Sequence, residues 1–369
     1  MKVSILFLAA LLCSILIFNS CGTVETYTVY VYKPIYQSYD ELRKSYKFSE
    51  SREMKEFGKI YVYKNYLFIN EWYKGIHIFN NTNPSQPINI GFINLPGNND
   101  ISVKDNILYA DTYVDLLAFD ISDINNITIS KTCTDVFKAP SYKAYNKNIN
   151  YDNVIRPARF IDIDKSKGII IGWEFVGSEE KKEYIGATDS DNSSGNSTGA
   201  AGSMSRFAIV GENLYSLHRE NLQIYDIAEV ANPKFFSQVT INFAIETIFP
   251  FNEHLLIGSQ TGMFIYDISN PSAPQQISAF AHVTSCDPVV AQGNYAYVTL
   301  RGGTACGSTT NQLDILDISN MHAPQLITSH EMNRPAGLAI ENDLLFICDS
   351  NAGLKVYNVN ESFNLDLLF

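Results

Sequence analysis

Residues 262–271 read GMFIYDISNP, and close variants of this sequence recur along the chain. Each copy alternates aliphatic or aromatic residues with smaller or polar ones and closes on an Asp or Asn, after which polar residues or proline begin a turn. The other copies are GIHIFN (75–80), LLAFDIS (116–122), LQIYDI (222–227), LDILDISN (313–320) and GLKVYN (353–358). Six copies of one strand-and-turn unit indicate a repeat protein.

The spacing of the copies predicts the fold class. The closing Asp or Asn stands at positions 80, 120, 226, 267, 317 and 358, so neighbouring copies lie 40 to 50 residues apart except across one gap of 106. A period near 40 residues is typical of propellers in which each repeat forms one four-stranded blade. We therefore predict an all-β protein, a β-propeller, in which each closing Asp or Asn accepts backbone N–H bonds from the turn that follows.

The gap of 106 residues leaves the number of blades open. Residues 160–173 read FIDIDKSKGIIIGW, which places a Lys-Ser-Lys-Gly turn between two apolar segments. We interpret this stretch as the inner hairpin of a degenerate blade, which predicts seven blades. The alternative treats 138–203 as one long insertion and leaves six blades.

The repeat resembles a known one. Glycine followed by alternating aliphatic residues and an Asp-Ile-Ser-Asn-Pro turn is similar to the LVIVD repeat of bacterial surface and periplasmic propellers, many of them lipoproteins. The resemblance extends over residues 58–358, apart from the insertion, and Asn80 and Asn358 replace the usual Asp. It implies a lipid-anchored propeller and no particular reaction.

The N-terminus indicates export. Met1 and Lys2 precede an apolar run over 3–18, and the segment ends in Asn-Ser-Cys-Gly at 19–22. The run is shorter than the roughly 20 residues of a spanning helix, and it matches a signal peptide. The cysteine resembles the lipidated residue of a bacterial lipoprotein signal, which predicts a lipid on Cys21 and a place in the cell envelope at the outer membrane, on either side of it.

These features predict the domain organisation. We expect residues 1–20 to form the lipoprotein signal peptide and residues 21–57 to form a tether and a strand that closes the ring. Residues 58–369 should form the propeller, with the insertion at 138–203. A ring closed by a strand from the other end of the chain would leave no exposed sheet edge.

Composition and motifs limit the function. The net charge of −12, with no cluster of Lys or Arg, argues against nucleic acid as a partner. The sequence contains no nucleophile elbow, phosphate-binding loop or HExxH motif, and its six histidines lack ligand spacing, so we predict no metal, cofactor or catalytic residue. A non-catalytic binding or scaffold protein, with an unknown protein or small-molecule ligand, fits best; a hydrolase or lyase that uses the central funnel is the alternative.

The loops at one end of the blades surround the central opening of a propeller, where ligands usually bind. In this chain the predicted loops are 71–74, 98–100, 111–115, 173–174, 206, 218–220, 286–287, 301–307, 333–334 and 349–351. Within them we expect ligand contacts from seven residues: Tyr73, Asp100, Trp173, Arg206, Asp287, Arg301 and Arg334. A disulfide between Cys286 and Cys306 should clip two of the loops together, since both cysteines stand at the same ends of neighbouring strands and an exported protein meets oxidising conditions. Cys133 and Cys348 remain possible competing partners.

Lipid attachment makes a direct prediction. Because Cys21 is the predicted acyl acceptor, Cys21→Ser should move the protein from the membrane fraction to the soluble fraction of lysed cells. Intact-mass analysis of the wild-type protein should show acyl groups. Retention of the cleaved variant in membranes, or a wild-type mass without acyl groups, would contradict the anchor.

Overall fold

The chain divides into two compact units in the computed structural model. The smaller unit comprises Met1–Tyr36, Tyr142–Ser166 and Ile170–Gly195, and the larger unit comprises Gln37–Ser141, Lys167–Ile169 and Asn196–Phe369. The structure describes residues 23–55, 58–138, 147–151, 154–185, 205–218, 220–241, 245–259, 261–281, 288–302, 310–359, 363 and 365–368. Among these residues, no helix is long and apolar enough to cross a membrane.

A short helix opens the larger unit. The first elements of the chain are β1 (Thr23–Gln37), α1 (Tyr39–Ser45) and β2 (Lys47–Ser49). A capping box begins α1: the Glu41 N–H donates to Ser38 Oγ at 3.3 Å, and the Ser38 N–H donates to Glu41 Oε2 at 3.0 Å. Leu42 of α1 is fully buried, so this seven-residue helix is held by packing as well as by its cap.

The first two repeats each form a four-stranded antiparallel sheet. Blade 1 contains β3 (Ile60–Tyr63), β4 (Tyr66–Glu71), β5 (Gly75–Asn80) and β6 (Ile88–Asn94). Blade 2 contains β7 (Ile101–Lys104), β8 (Ile107–Asp111), β9 (Leu116–Asp120) and β10 (Thr128–Cys133). The segment that follows contains β11 (Lys147–Tyr151), β12 (Val154–Phe160), a 3-10 turn (Lys165–Lys167) and β13 (Ile169–Ile185).

The remaining repeats form four more sheets of the same kind. Blade 3 contains β14 (Phe207–Val210), β15 (Asn213–His218), β16 (Asn221–Asp226) and β17 (Lys234–Thr240). Blade 4 contains β18 (Ile245–Phe251), β19 (His254–Ser259), β20 (Gly262–Asp267) and β21 (Gln275–Ala281). Blade 5 contains β22 (Val289–Gln292), β23 (Tyr295–Leu300), β24 (Gln312–Asp317) and β25 (Gln325–Glu331). Blade 6 contains β26 (Gly337–Glu341), β27 (Leu344–Cys348), a 3-10 turn (Ser350–Ala352), β28 (Leu354–Val359) and β29 (Leu365–Leu367).

Turn residues set the register of each blade. The hairpin between the first two strands of every blade contains a residue with positive φ: Lys64, Asp105 and Asn106, Gly211, Asn252, Gly293, and Asn342 and Asp343. Such residues match the twist of a two-stranded hairpin. The closing Asp then fixes the turn after the third strand, since Asp267 Oδ1 accepts the Ser269 N–H at 2.7 Å and Asp317 Oδ1 accepts the Ser319 N–H at 2.8 Å. The predicted structural role of these residues is confirmed.

The hydrophobic core lies between neighbouring blades of the larger unit. Five clusters of buried side chains join blade 1 to 2, 2 to 3, 3 to 4, 4 to 5 and 5 to 6. The largest fully buried side chains, Tyr109, Tyr215 and Tyr225, stand on second and third strands, where both faces of a blade are covered. Face-to-face packing of successive four-stranded sheets is the propeller architecture that the period predicted.

The structure corrects the degenerate blade. The sheet of the smaller unit has the strand order β11-β12-β1-β13, so β1 lies between the two strands that 160–173 was expected to pair as a hairpin. β1 runs parallel to β12, with Tyr32 opposite Phe160. β1 is 15 residues long and lies between β12 and β13, so these two strands do not pair with each other. The described strands form seven sheets, six of them in the larger unit, and the seventh contains 160–173 but does not pair it as the predicted hairpin.

The ends of the repeat array also differ from expectation. Blade 6 is completed by its own β29, with Asn358 opposite Asp366, and not by a strand from the N-terminus. Within residues 21–57, β1 belongs to the smaller unit, and β2 adds a fifth strand to the outer edge of blade 1, with Phe48 opposite Ile93. Pairing with β2 covers the outer edge of β6 over residues 92–94, which would otherwise be open there.

The burial of α1 predicts that the N-terminal segment stabilises the larger unit. Leu42→Ala should lower the free energy of unfolding by about 2–5 kcal/mol, because it leaves a cavity in the core cluster of blades 1 and 2. Lys44→Ala changes an exposed residue of the same helix and should cost no more than about 0.5 kcal/mol. Urea denaturation of the full chain measures both. Equal effects of the two substitutions would show that α1 is not part of the core.

Candidate functional site

A cleft of about 390 Å³ opens among the loops at one end of blades 1 to 4, and all of its lining belongs to the larger unit. Its lining residues are Tyr73, Asn99, Asp111, Thr112, Tyr113, Phe137, Lys138, Arg206, Ser216, Leu217, His218 and Ile245. These residues stand in the loops before first strands and after second strands, in the strand ends that adjoin those loops, and in the segment after β10. This is the end of the blades at which the sequence predicted ligand contacts. Two of the predicted residues, Tyr73 and Arg206, line the cleft directly.

The predicted ligand residue Asp100 has a structural role. Its side chain is fully buried, and its carboxylate accepts the backbone N–H groups of Ile101 and Phe207, both at 2.7 Å, and that of Arg206. The ammonium of Lys59, just before blade 1, donates to the same carboxylate. Asp100 therefore ties blades 1, 2 and 3 together beneath the cleft.

Asp111, at the end of β8, is the acid of the cleft. Its Oδ1 accepts three hydrogen bonds, from the N–H groups of Asn99 at 2.8 Å and Asp100 at 2.9 Å and from Asn98 Nδ2 at 3.0 Å. Burial raises the pKa of Asp111 to about 7, and the charge of Asp100 acts in the same direction. The backbone donors and Arg206 oppose this rise in the pKa. Asp111 can therefore change its charge near neutral pH.

A pair of tyrosines forms an aromatic platform at the cleft. The rings of Tyr73 and Tyr113 are nearly parallel, with an interplanar angle of 8° and centroids 5.9 Å apart. Tyr73 adopts a left-handed backbone conformation with φ 57°. Two hydrogen bonds hold it in place: the Tyr73 N–H donates to the carbonyl oxygen of Asn98, and the Gly97 N–H donates to the carbonyl oxygen of Tyr73. Gly97 permits the close approach, because a Cβ there would stand 2.4 Å from Tyr113 N.

The helix α1 fixes the loop that carries Tyr113. Arg43 Nε and Nη2 donate to the two carboxylate oxygens of Asp115, each at 2.9 Å, and Asp115 is fully buried. The hydroxyl of Tyr46 lies 3.2 Å from Thr112 Oγ1 in the same loop. A bidentate pair of this kind sets orientation as well as contact. The N-terminal segment therefore helps to shape the cleft.

Arg206 is the half-buried cation of the cleft. Its backbone is anchored to Asp100, and its charge acts on both Asp111 and Tyr73. Among the described residues, no hydrogen bond or ion pair engages its guanidinium. The exposed ammonium of Lys138 lines the cleft as well. The cleft thus presents two cationic side chains and one carboxyl group, that of Asp111, whose Oδ1 already accepts three hydrogen bonds.

Two other predicted residues meet at blades 5 and 6. Burial and the nearby charge of Arg334 lower the pKa of Arg301. The loop of Arg334 is held by the buried Asp349, which accepts the Arg334 N–H at 2.6 Å and the Lys355 ammonium at 2.6 Å. Burial alone would raise the pKa of Asp349, but these donors lower it. The structure brings Arg301 and Arg334 together but does not place them in the cleft.

The remaining predicted residues do not join the site. Trp173 stands on β13 in the smaller unit, where its ring lies 4.3 Å from that of Phe160. Asp287, Cys286 and Cys306 lie outside the described residues, so the disulfide stays a prediction. In the described part of the chain, Cys133 and Cys348 are free thiols.

Sequence reasoning placed Asn98 and Asp111 in the predicted loop segments 98–100 and 111–115 but did not select them as ligand residues. Asn98 Nδ2 bonds Asp111, and Asn98 in turn accepts a bond from Asn70 Nδ2 at 2.6 Å. The signal was present, since Asn70 and Asp111 are polar residues on second strands, which lie inside a blade and are otherwise apolar. In the described ranges, no group of three or more His, Cys, Asp or Glu side chains could hold a metal ion.

The pKa of Asp111 makes a stability prediction. The carboxyl group of Asp111 has a pKa near 7 in the folded protein and about 3.9 in the unfolded chain. Between these two values the folded protein binds the proton more tightly than the unfolded chain does. The free energy of unfolding that Asp111 contributes therefore falls as the pH rises from about 4 to 7. Asp111→Asn keeps an acceptor oxygen but cannot ionise. Its free energy of unfolding relative to wild type should therefore increase between pH 5 and pH 8, on the order of a few kcal/mol, in urea titrations. The exposed Asp123→Asn serves as the control, and parallel pH curves for wild type and Asp111→Asn would refute the prediction.

Comparisons with known proteins agree with the repeat pattern. Residues 58–94, 254–281 and 285–331 match the family model for the LVIVD repeat. No curated protein matches the chain. The crystal structure of a protein from Lactobacillus plantarum is similar over 87% of this chain and 85% of that one, with 11% sequence identity and a TM-score of 0.56. A hypothetical selenium-binding protein from Sulfolobus tokodaii aligns over 84% of this chain and 75% of its own, with 11% identity and a TM-score of 0.47. The chain thus carries LVIVD repeats on a β-propeller fold.

Proposed function

We propose that this protein is an exported, lipid-anchored β-propeller that binds a small ligand in the cleft among blades 1 to 4 and does not transform it. The observation that carries the proposal is a cleft whose tyrosine pair and Arg206 stand on segments that hydrogen bonds hold in place. Tyr73, Tyr113 and Arg206 are each held through their backbone or their loop. Preorganised side chains of this kind favour recognition, because little ordering is left to occur on binding.

The polar groups around the cleft support binding over catalysis. The oxygen Oδ1 of Asp111 accepts two backbone N–H groups and a side-chain amide, so this atom positions loops. A general base needs a free lone pair aimed at the proton that it removes. The carboxylate of Asp100 is similarly used, by three backbone donors and Lys59. Asp100, which lies beneath the cleft, and the Oδ1 atom of Asp111 therefore hold in place the loops that would contact a ligand.

The cellular place of the protein is part of the proposal. The charged start, the apolar run over 3–18 and the cysteine at position 21 support export and attachment to the outer membrane through lipid. A tethered propeller would hold its cleft close to the membrane that carries it. The lipid on Cys21 would be the contact with the membrane. The proposed ligand is a small molecule and not a nucleic acid, because the net charge of −12 would repel phosphates.

Saturation-transfer NMR with a library of small polar fragments tests binding. We expect some fragments to receive saturation from the full chain and to lose that signal in Tyr73→Ala, which removes half of the aromatic platform. Phe236→Ala removes an exposed ring from the outer strand of blade 3 and should leave the signals unchanged.

The outcomes separate the two function classes. Fragments recovered unchanged after long incubation support a binding protein, whereas chemical conversion of a bound fragment would favour the hydrolase or lyase. Failure of every fragment to show a signal that depends on Tyr73 would refute the proposed binding function at this cleft.

A further inference from the structure

We infer that the cleft among blades 1 to 4 selects a small organic anion in which a single six-membered ring carries a carboxylate. The carboxylate would contact Arg206 and Lys138, and the ring would lie on the Tyr73–Tyr113 platform. This inference rests on the proposed binding function and specifies the chemistry of its ligand. Both an acidic sugar and an aromatic acid have this chemistry.

Charge is the first support. The chain as a whole carries −12, yet the lining of the cleft includes two cationic side chains and a single carboxyl group, that of Asp111. Burial raises the pKa of Asp111 to about 7, so this carboxyl group is partly neutral at physiological pH. A cleft with a positive balance on an acidic protein attracts anions locally while the rest of the surface repels them.

The guanidinium of Arg206 is the second support. The described residues offer it no ion pair within 4.0 Å and no hydrogen bond, although the side chain is half buried. A guanidinium presents its donors in a planar fork that matches the two oxygens of a carboxylate. A partly desolvated guanidinium without an acceptor raises the free energy of the folded protein. An anionic ligand would supply the missing acceptor and remove that penalty.

The aromatic platform is the third support. Tyr73 is 42% exposed, and its ring stacks with that of Tyr113 at an interplanar angle of 8°, so the lining that carries the two cations also offers an accessible aromatic ring. Tyrosine rings bind the faces of sugars and aromatic rings with little loss of side-chain entropy. The volume, about 390 Å³, lies near the lower end of the range for ligand pockets, which suits one ring with its substituents.

The charge of Asp111 couples anion binding to pH. An anion beside Asp111 is repelled when this carboxyl ionises, so affinity should fall as the pH rises from 6 to 8. The groups that face Asp111 are Asp100 and Arg206, with Lys138, His218 and the two tyrosines on the same lining. His218 can also lose a proton as the pH rises, so the contribution of Asp111 is the part that disappears in Asp111→Asn.

Two matched pairs of probes test the inference by isothermal titration calorimetry on the full chain. D-glucuronate is compared with D-glucose, and 4-hydroxybenzoate with 4-hydroxybenzamide, so that each pair differs mainly in its charge. We expect at least one acid to bind at least tenfold more tightly than its neutral partner, and Arg206→Gln to weaken that acid about tenfold or more. Lys131→Gln removes one exposed positive charge from blade 2 outside the cleft and should change the affinity less than twofold.

Each result is decisive. Tighter binding of D-glucuronate identifies a sugar acid, and tighter binding of 4-hydroxybenzoate identifies an aromatic acid. Equal affinity of acid and neutral partner, or equal losses in Arg206→Gln and Lys131→Gln, would overturn the anion inference while leaving a binding function in place. Absence of binding by all four probes would also overturn it, and the fragment screen then reports separately on whether the cleft binds anything. An affinity for the acid that rises from pH 6 to pH 8 would contradict the position of its carboxylate near Asp111.

Discussion

The contacts of Asp100 are the interaction on which the cleft depends. One buried carboxylate accepts the first backbone N–H of blade 2, two backbone N–H groups at the entrance to blade 3, and the ammonium of Lys59 before blade 1. Hydrophobic packing between blades is spread over many side chains and permits small shifts. The directional bonds of Asp100 instead fix how three first strands begin, and therefore where Arg206 stands.

Two neighbouring acids differ because their partners differ. Asp100 has a cation and three backbone donors, whereas Asp111 has two backbone donors, an amide and no cation in direct contact among the described residues. Burial without a bonded cation raises the pKa of Asp111 toward neutrality. If Arg206 bonded Asp111 directly, it would lower that pKa and lose its capacity for a ligand. The separation of the two groups keeps both available.

The sequence predicted the blades of the repeat, but it did not predict which strands pair when they lie far apart in the chain. The period, the hairpin residues and the closing Asp act within about 40 residues, so local chemistry predicts each blade. The segment 160–173 pairs with β1, more than 120 residues earlier, and no local signal reports such a partner. For the cleft, the sequence selected Tyr73 and Arg206 and placed Asp111 in a predicted rim loop. The role of Asp111 was not predicted, because its burial and its hydrogen-bond donors appear only after folding.

Repetition explains why the cleft stands where it does. The second strands of blades 1, 2 and 3 pair with their third strands in the same register. One position in that register is occupied by Asn70 in blade 1, Asp111 in blade 2 and Leu217 in blade 3. The backbone pairing at this position is the same in the three blades, so the position differs between them only in its side chain. Asn70 bonds Asn98, Asn98 bonds Asp111, and the third blade places an aliphatic wall beside them. Asp111, Leu217 and Arg206 line the same cleft, so differences between side chains give these blades a distinct site without any change in their fold.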